Sequence, residues 1–163
     1  QMPAMAIGAA CSTMAAQNVG AGQWARVGQV ARSGVAFNLL MTGALIAVRD
    51  VPVGESVGYG ASWVAQRPSR IGTVSCGYAD GYPRTAPSGT SVVIHGQRVP
   101  LAGRVSMDML AVDLTDLPQA QLGDAVELWG AQMPIDELAQ ACGTIGYELL
   151  TKVTGRVPRR YIG

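Results

Sequence analysis

Tyr59 stands between two glycines, Gly58 and Gly60, in the stretch SVGYGASW at residues 56–63. Glycine weakens a strand unless the chain must bend there or another backbone must come close. A neighbourhood stripped of side chains leaves the phenol uncovered and able to exchange a proton with a bound molecule. With an ordinary pKa of about 10 it is a poor base near neutrality, so that role needs a cation nearby to stabilise the phenolate. The rest of the reactive inventory is sparse. His95 is the one histidine of the chain, so a histidine triad or a multi-histidine metal site would need a second chain. Beside Gly96, it reads as a hairpin residue. Cys11, Cys76 and Cys142 are odd in number and far apart, which fits neither a disulfide framework nor a metal knuckle and points to a reducing, cytoplasmic setting. No metal site is expected, and Lys152 is the only lysine.

These residues must be positioned by a chain of 163 residues, 48% hydrophobic and 14% charged, which is enough for a domain with a real core. The net charge of +1 is spread out, without a basic run, so no nucleic-acid partner is expected. Two parts differ in character. Residues 1–44 are small, apolar and rich in glycine and alanine, and are expected to be helical; their apolar runs fall short of the roughly 20 residues that cross a bilayer. Residues 45–163 carry short alternating or β-branched runs cut by turn residues: LIAVRDV, IGTVSCGY, TSVVIHG, RVPLAGRVSM, LAVDLT and AVELWG. This pattern predicts an antiparallel sheet or β-barrel. One short helix is expected over residues 134–142, with carboxylates in its first turn and Gly143 as its stop, after which the tail from Thr144 returns to strand.

Five motifs in order, VGYGASW, GYADGYPR (77–84), GRVSMDML (103–110), TIGYELL (144–150) and RVPRRY (156–161), closely resemble the C-terminal domain of alanine racemases. The resemblance covers about 45–161 and implies that domain's β-barrel, which in the family closes an active site whose pyridoxal phosphate is held by a (β/α)8 barrel of the partner subunit. It implies that Tyr59 is one of two catalytic bases and that the Met107 backbone N–H meets the substrate carboxylate. A methionine filling the barrel interior is an equally good reading of Met107 from sequence. Tyr78, Arg84, Arg104 and Asp108 resemble residues that narrow and charge the substrate entryway, with Asp108 able to hold one of those two arginines by a bidentate pair. Surface ion pairs are the alternative. Tyr147 matches a tyrosine near the cofactor phosphate, with Ile145 beside it; a packed ring with a tethered hydroxyl is the alternative.

In the family the cofactor is bound by a lysine of the N-terminal barrel, and no matching motif occurs in this sequence. The chain alone is therefore expected to bind pyridoxal phosphate weakly or not at all and to be inactive by itself. Its implied partners are alanine as substrate, and a second copy or a separate cofactor-bearing barrel. Residues 5–46, including QNVGAG, resemble a segment of multidrug and toxin extrusion transporters, which implies a fusion of unrelated coding segments. Two other readings stand beside the racemase one: a non-catalytic β-barrel interaction module, and a membrane-associated fragment anchored through residues 1–48.

Overall fold

A computed structural model describes residues 40–158. The helical and transporter-like expectations for the N-terminal part fall outside them except at residues 41–44, which are strand rather than helix because they pair with residues 125–129. Eight strands form in the order β1 (Met41–Val51), β2 (Ser56–Val57), β3 (Trp63–Val64), β4 (Ser69–Val74), β5 (Ser91–Ile94), β6 (Gln97–Pro100), β7 (Leu110–Asp113) and β8 (Ala125–Trp129). Two helices follow, α1 (Ile135–Ala141) and α2 (Gly146–Lys152). Six strands make one antiparallel sheet in the order β6-β5-β8-β1-β4-β7, and a bridge between Leu101 and Val112 brings its two edges together. The result is the expected, nearly closed β-barrel.

The long strand β1 makes this closure possible. It pairs with β8 through its first half and with β4 through its second, and its register slips at Met41/Thr42 and again at Leu45/Ala47. Such bulges bend a strand and increase its twist, which lets one strand serve two walls. Alternation supplies the core: Val74, Val92, Ile94, Val112, Val126 and Leu128 all point inward. At the centre Tyr82 stacks on Trp129, ring centroids 6.1 Å apart. A second small cluster, Val51, Val57, Ala65, Ile71 and Ala102, lies under the β2–β3 hairpin. Between β5 and β6 the turn is His95-Gly96, both at positive φ (51° and 75°), the two-residue geometry that matches the twist of a hairpin. His95 is thus the hairpin residue expected, and its Nε2 lies 2.9 Å from the Asp124 carboxylate.

Three local expectations are corrected. The tail from Thr144 to Pro158 does not return to strand but forms α2, so the described residues hold two α-helices rather than one. Leu149 is buried, Glu148 and Lys152 pair at 2.5 Å one turn apart, and the acidic and basic ends match the helix dipole. The expected strand RVPLAGRVSM stops at Pro100, beyond which only the Leu101 bridge joins the sheet. Gly103 turns the chain at φ 90°, and a Cβ there would lie 2.9 Å from the Val57 carbonyl. The strand-like run around Tyr59 is broken into β2, a 3₁₀ turn at Tyr59–Ala61, and β3. Among the described residues no helix is long and apolar enough to cross a membrane.

Candidate functional site

The Tyr59 turn is built from backbone conformations that L side chains rarely adopt. Gly58 (φ 79°), Gly60 (φ 72°) and Ala61 (φ 48°) all have positive φ, which glycine tolerates without steric cost. The turn leaves Tyr59 72% exposed, the most exposed large hydrophobic among the described residues. The chain that passes beneath it is the 103–104 segment. A Cβ on Gly58 would lie 3.7 Å from the Arg104 nitrogen, and one on Gly60 would lie 3.8 Å from Arg104 Nη1. A guanidinium therefore stands beside Gly60, the residue that follows Tyr59, although 44 positions away in sequence.

Two loops lie against each other next to this turn. Tyr78 N–H donates to the Ser106 carbonyl (3.0 Å) and Ala79 N–H to the Met107 carbonyl (2.9 Å). Gly77 is pressed so closely onto the second loop that a Cβ there would sit 2.3 Å from the Met107 oxygen. Met107 itself is 53% exposed, which rules out the barrel-interior reading of its side chain. Its N–H donates to no acceptor among the described residues, and so is available to a ligand.

Arg84 lies between two open hollows. One, of about 290 Å³, is lined by Ser62, Arg84, Ser88 and Arg104; the other, of about 500 Å³, by Tyr78, Arg84, Cys142, Thr144 and Lys152. The structure thus gathers Arg84 with Arg104 on one side and with Tyr78 on the other. Asp108 departs from expectation. It pairs with neither Arg84 nor Arg104 but with Arg156, Oδ1 to Nη2 at 2.7 Å, through one contact rather than a bidentate pair. Ile145 precedes α2 and Tyr147 lies in its first turn, both exposed; neither lines the larger hollow, whose wall is made there by Thr144 and Glu148. Half-exposure of the Tyr147 ring does not fit a packed structural tyrosine.

Both thiols in the domain are biased toward their protonated form. Burial, with Asp80 nearby, pushes Cys76 up to about 12, and burial raises Cys142 as well. Lys152 lines the larger hollow, where its half-exposed amine pairs with Glu148 at 2.5 Å. Lys152 is the one lysine of the chain, and the lysine that the resemblance assigns to pyridoxal phosphate belongs to a barrel outside the matched C-terminal domain. Sequence reasoning missed Asp80, which ties the Gly77 N–H, and Arg156, which faces both Asp80 and Asp108. Both lie in motifs the sequence displays, Asp80 in GYADGYPR and Arg156 at the head of RVPRRY, but nothing local in either motif says which partner the side chain meets.

The match to known proteins follows this geometry. A family model described as "Alanine racemase, C-terminal domain" matches residues 39–161. The chain belongs to the alanine racemase C-terminal domain family. A second model, MatE, matches residues 1–50. The alanine racemase of Stutzerimonas stutzeri is 98% identical over 125 residues, 77% of this chain and 35% of that protein. The biosynthetic alanine racemase of Pseudomonas aeruginosa is 74% identical over 117 residues, 72% of this chain and 33% of that protein. Its crystal structure superposes with a TM-score of 0.75 at 70% identity, over 76% of this chain and 35% of that one. The Bartonella henselae alanine racemase with covalently bound pyridoxal phosphate gives 0.73 at 38% identity, over 76% of this chain and 34% of that one. The chain thus spans about a third of the length of the racemases it matches.

Proposed function

We propose that this alanine racemase C-terminal domain is half of a racemase active site, offering Tyr59 as the acid/base group on one face of the α-carbon of alanine. Racemisation removes a proton from one face and returns one to the other, so it calls for two such groups on opposite sides of a planar carbon. The observation that carries this reading is the Tyr59 turn: an exposed phenol presented by left-handed glycines, with the Arg104 guanidinium beside it. In the same reading the free N–H of Met107 takes the substrate carboxylate. Arg84 and Arg104 draw that carboxylate in, while Tyr78 and Asp108 narrow the way. Tyr147 and Ile145 face the cofactor side.

Pyridoxal phosphate and the second base belong to the other half, on a cofactor-bearing barrel supplied by a second subunit. By itself the 163-residue chain is then expected to give neither cofactor absorbance nor turnover. The segment before the domain is read as joined sequence of separate origin, in keeping with the MatE match, and the free thiols suit a cytoplasmic setting. The test is a graft: residues 39–161 replace the matching third of the Stutzerimonas stutzeri racemase, and conversion of L- to D-alanine is measured. Turnover that falls about 10²- to 10⁴-fold with Tyr59→Phe supports the role. A dead graft, or a live one indifferent to Tyr59→Phe, refutes it.

A further inference from the structure

We infer that Arg156 is a positioning residue of the half-site, clamping the loop that carries Tyr78 to the loop that presents the Met107 N–H. The inference rests on the racemase reading for its functional meaning, and on geometry for the clamp itself. Arg156 Nη2 lies 2.7 Å from Asp108 Oδ1, and Arg156 Nε lies 3.6 Å from Asp80 Oδ1. Asp80 belongs to the first loop, and its other oxygen accepts the Gly77 N–H at 2.9 Å. Asp108 follows Met107 directly in the second. One planar guanidinium therefore spans two carboxylates, each attached to one of the two segments that touch through Gly77 and Met107. Planar, multidentate donation is what distinguishes arginine from lysine at such a position.

The arginine is itself aimed by the chain before it. Thr154 N–H donates to the Asp80 carbonyl (3.1 Å), its hydroxyl to the Ala79 carbonyl (2.8 Å), and Arg156 N–H to the Thr154 hydroxyl (3.4 Å). The C-terminal segment thus returns to the first loop before its side chain reaches the second. Asp108 then serves the entryway through its partner: engaged by Arg156, it is withheld from Arg84 and Arg104, whose positive charge stays available for an incoming carboxylate. A carboxylate left loose beside Met107 would instead repel the substrate group that this N–H is to receive.

Two measurements test this. On the full 163-residue chain, amide hydrogen exchange compares wild type, Arg156→Ala and Arg156→Lys. Tyr78 and Ala79, whose N–H groups join the loops, should exchange about 10-fold faster in Arg156→Ala, with strand amides such as Val93 and Val112 unchanged. Arg156→Lys should recover part of that protection, because it keeps the charge and loses the fork. In the racemase graft, Arg156→Ala should raise KM for alanine about 10-fold and leave kcat within about twofold, the converse of Tyr59→Phe. Unchanged exchange at Tyr78 and Ala79 overturns the clamp, and an unchanged KM overturns its part in substrate placement. A graft that is inactive with Arg156 intact refutes the racemase reading instead, and exchange then decides the clamp alone.

Discussion

Substituting Gly77 by alanine should destabilise the domain by about 2 kcal/mol through a single methyl group. A Cβ at this position would lie 2.3 Å from the Met107 oxygen, 2.5 Å from its carbonyl carbon and 2.5 Å from the Ser106 oxygen. All three atoms are backbone, so no flexible side-chain end can swing aside. Two routes relieve the contact. If the loops stay together, the overpacking costs about 1–3 kcal/mol. If they part, the Tyr78–Ser106 and Ala79–Met107 hydrogen bonds are lost, at about 1 kcal/mol each. Both routes converge on about 2 kcal/mol, a fall of roughly 8 °C in Tm for a domain of this size. Urea and thermal unfolding followed by tryptophan fluorescence would read it, since Trp129 is buried against Tyr82. Gly155→Ala is the control: a Cβ there meets nothing within 4 Å and its φ is not in the left-handed region, so it should change stability by less than about 0.5 kcal/mol. Equal stability of the two variants would refute the reasoning, because it would mean that the loops are not in contact.

Other outcomes follow from single groups. Cys76, with its thiol pushed up to about 12 by burial, binds its proton more tightly folded than unfolded. Its contribution is therefore complete below about pH 9 and is lost as pH rises toward 12, so unfolding curves should show a falling limb there that Cys76→Ala reduces. Glu127 Oε1 accepts the N–H groups of Gln132 (2.7 Å) and Met133 (3.0 Å) at the turn into α1. Glu127→Ala should cost about 1–3 kcal/mol in urea unfolding, and Glu127→Gln, which keeps an acceptor oxygen, clearly less.

What the sequence made legible depended on whether the deciding interaction was local. His95-Gly96 could be read as a hairpin turn because both residues tolerate positive φ, and the run before it, SVVI, is β-branched. Helix α1 was legible from Asp136 and Glu137 in its first turn and Gly143 beyond its end. Helix α2 was not, because Ile145, Tyr147, Thr151 and Val153 look like strand. Its stability comes from elsewhere: Leu149 fills the core, and Gly146 leaves room for Asp136, whose Oδ1 would lie 2.3 Å from any Cβ. At the site, the glycines around Tyr59 were visible, whereas the placement of Arg104 beside them depends on the Gly103 turn folding back under Val57. Asp108 was seen as a carboxylate that holds an arginine, but its partner lies 48 residues on, chosen by the path of the C-terminal segment.

The two edges of the main sheet meet at one bridge, between Leu101 and Val112, and this seam governs the chemistry available nearby. Had β6 and β7 zipped fully together, the ladder would have consumed the main-chain groups of the connecting chain. Instead residues 102–109 leave the sheet as an excursion that carries Arg104, Met107 and Asp108 outward. Among the described residues the Met107 N–H stays unspent, on the stretch where the barrel stops short of closing. An imperfect weld is thus what gives an otherwise self-satisfied sheet a main-chain donor to offer to something other than itself.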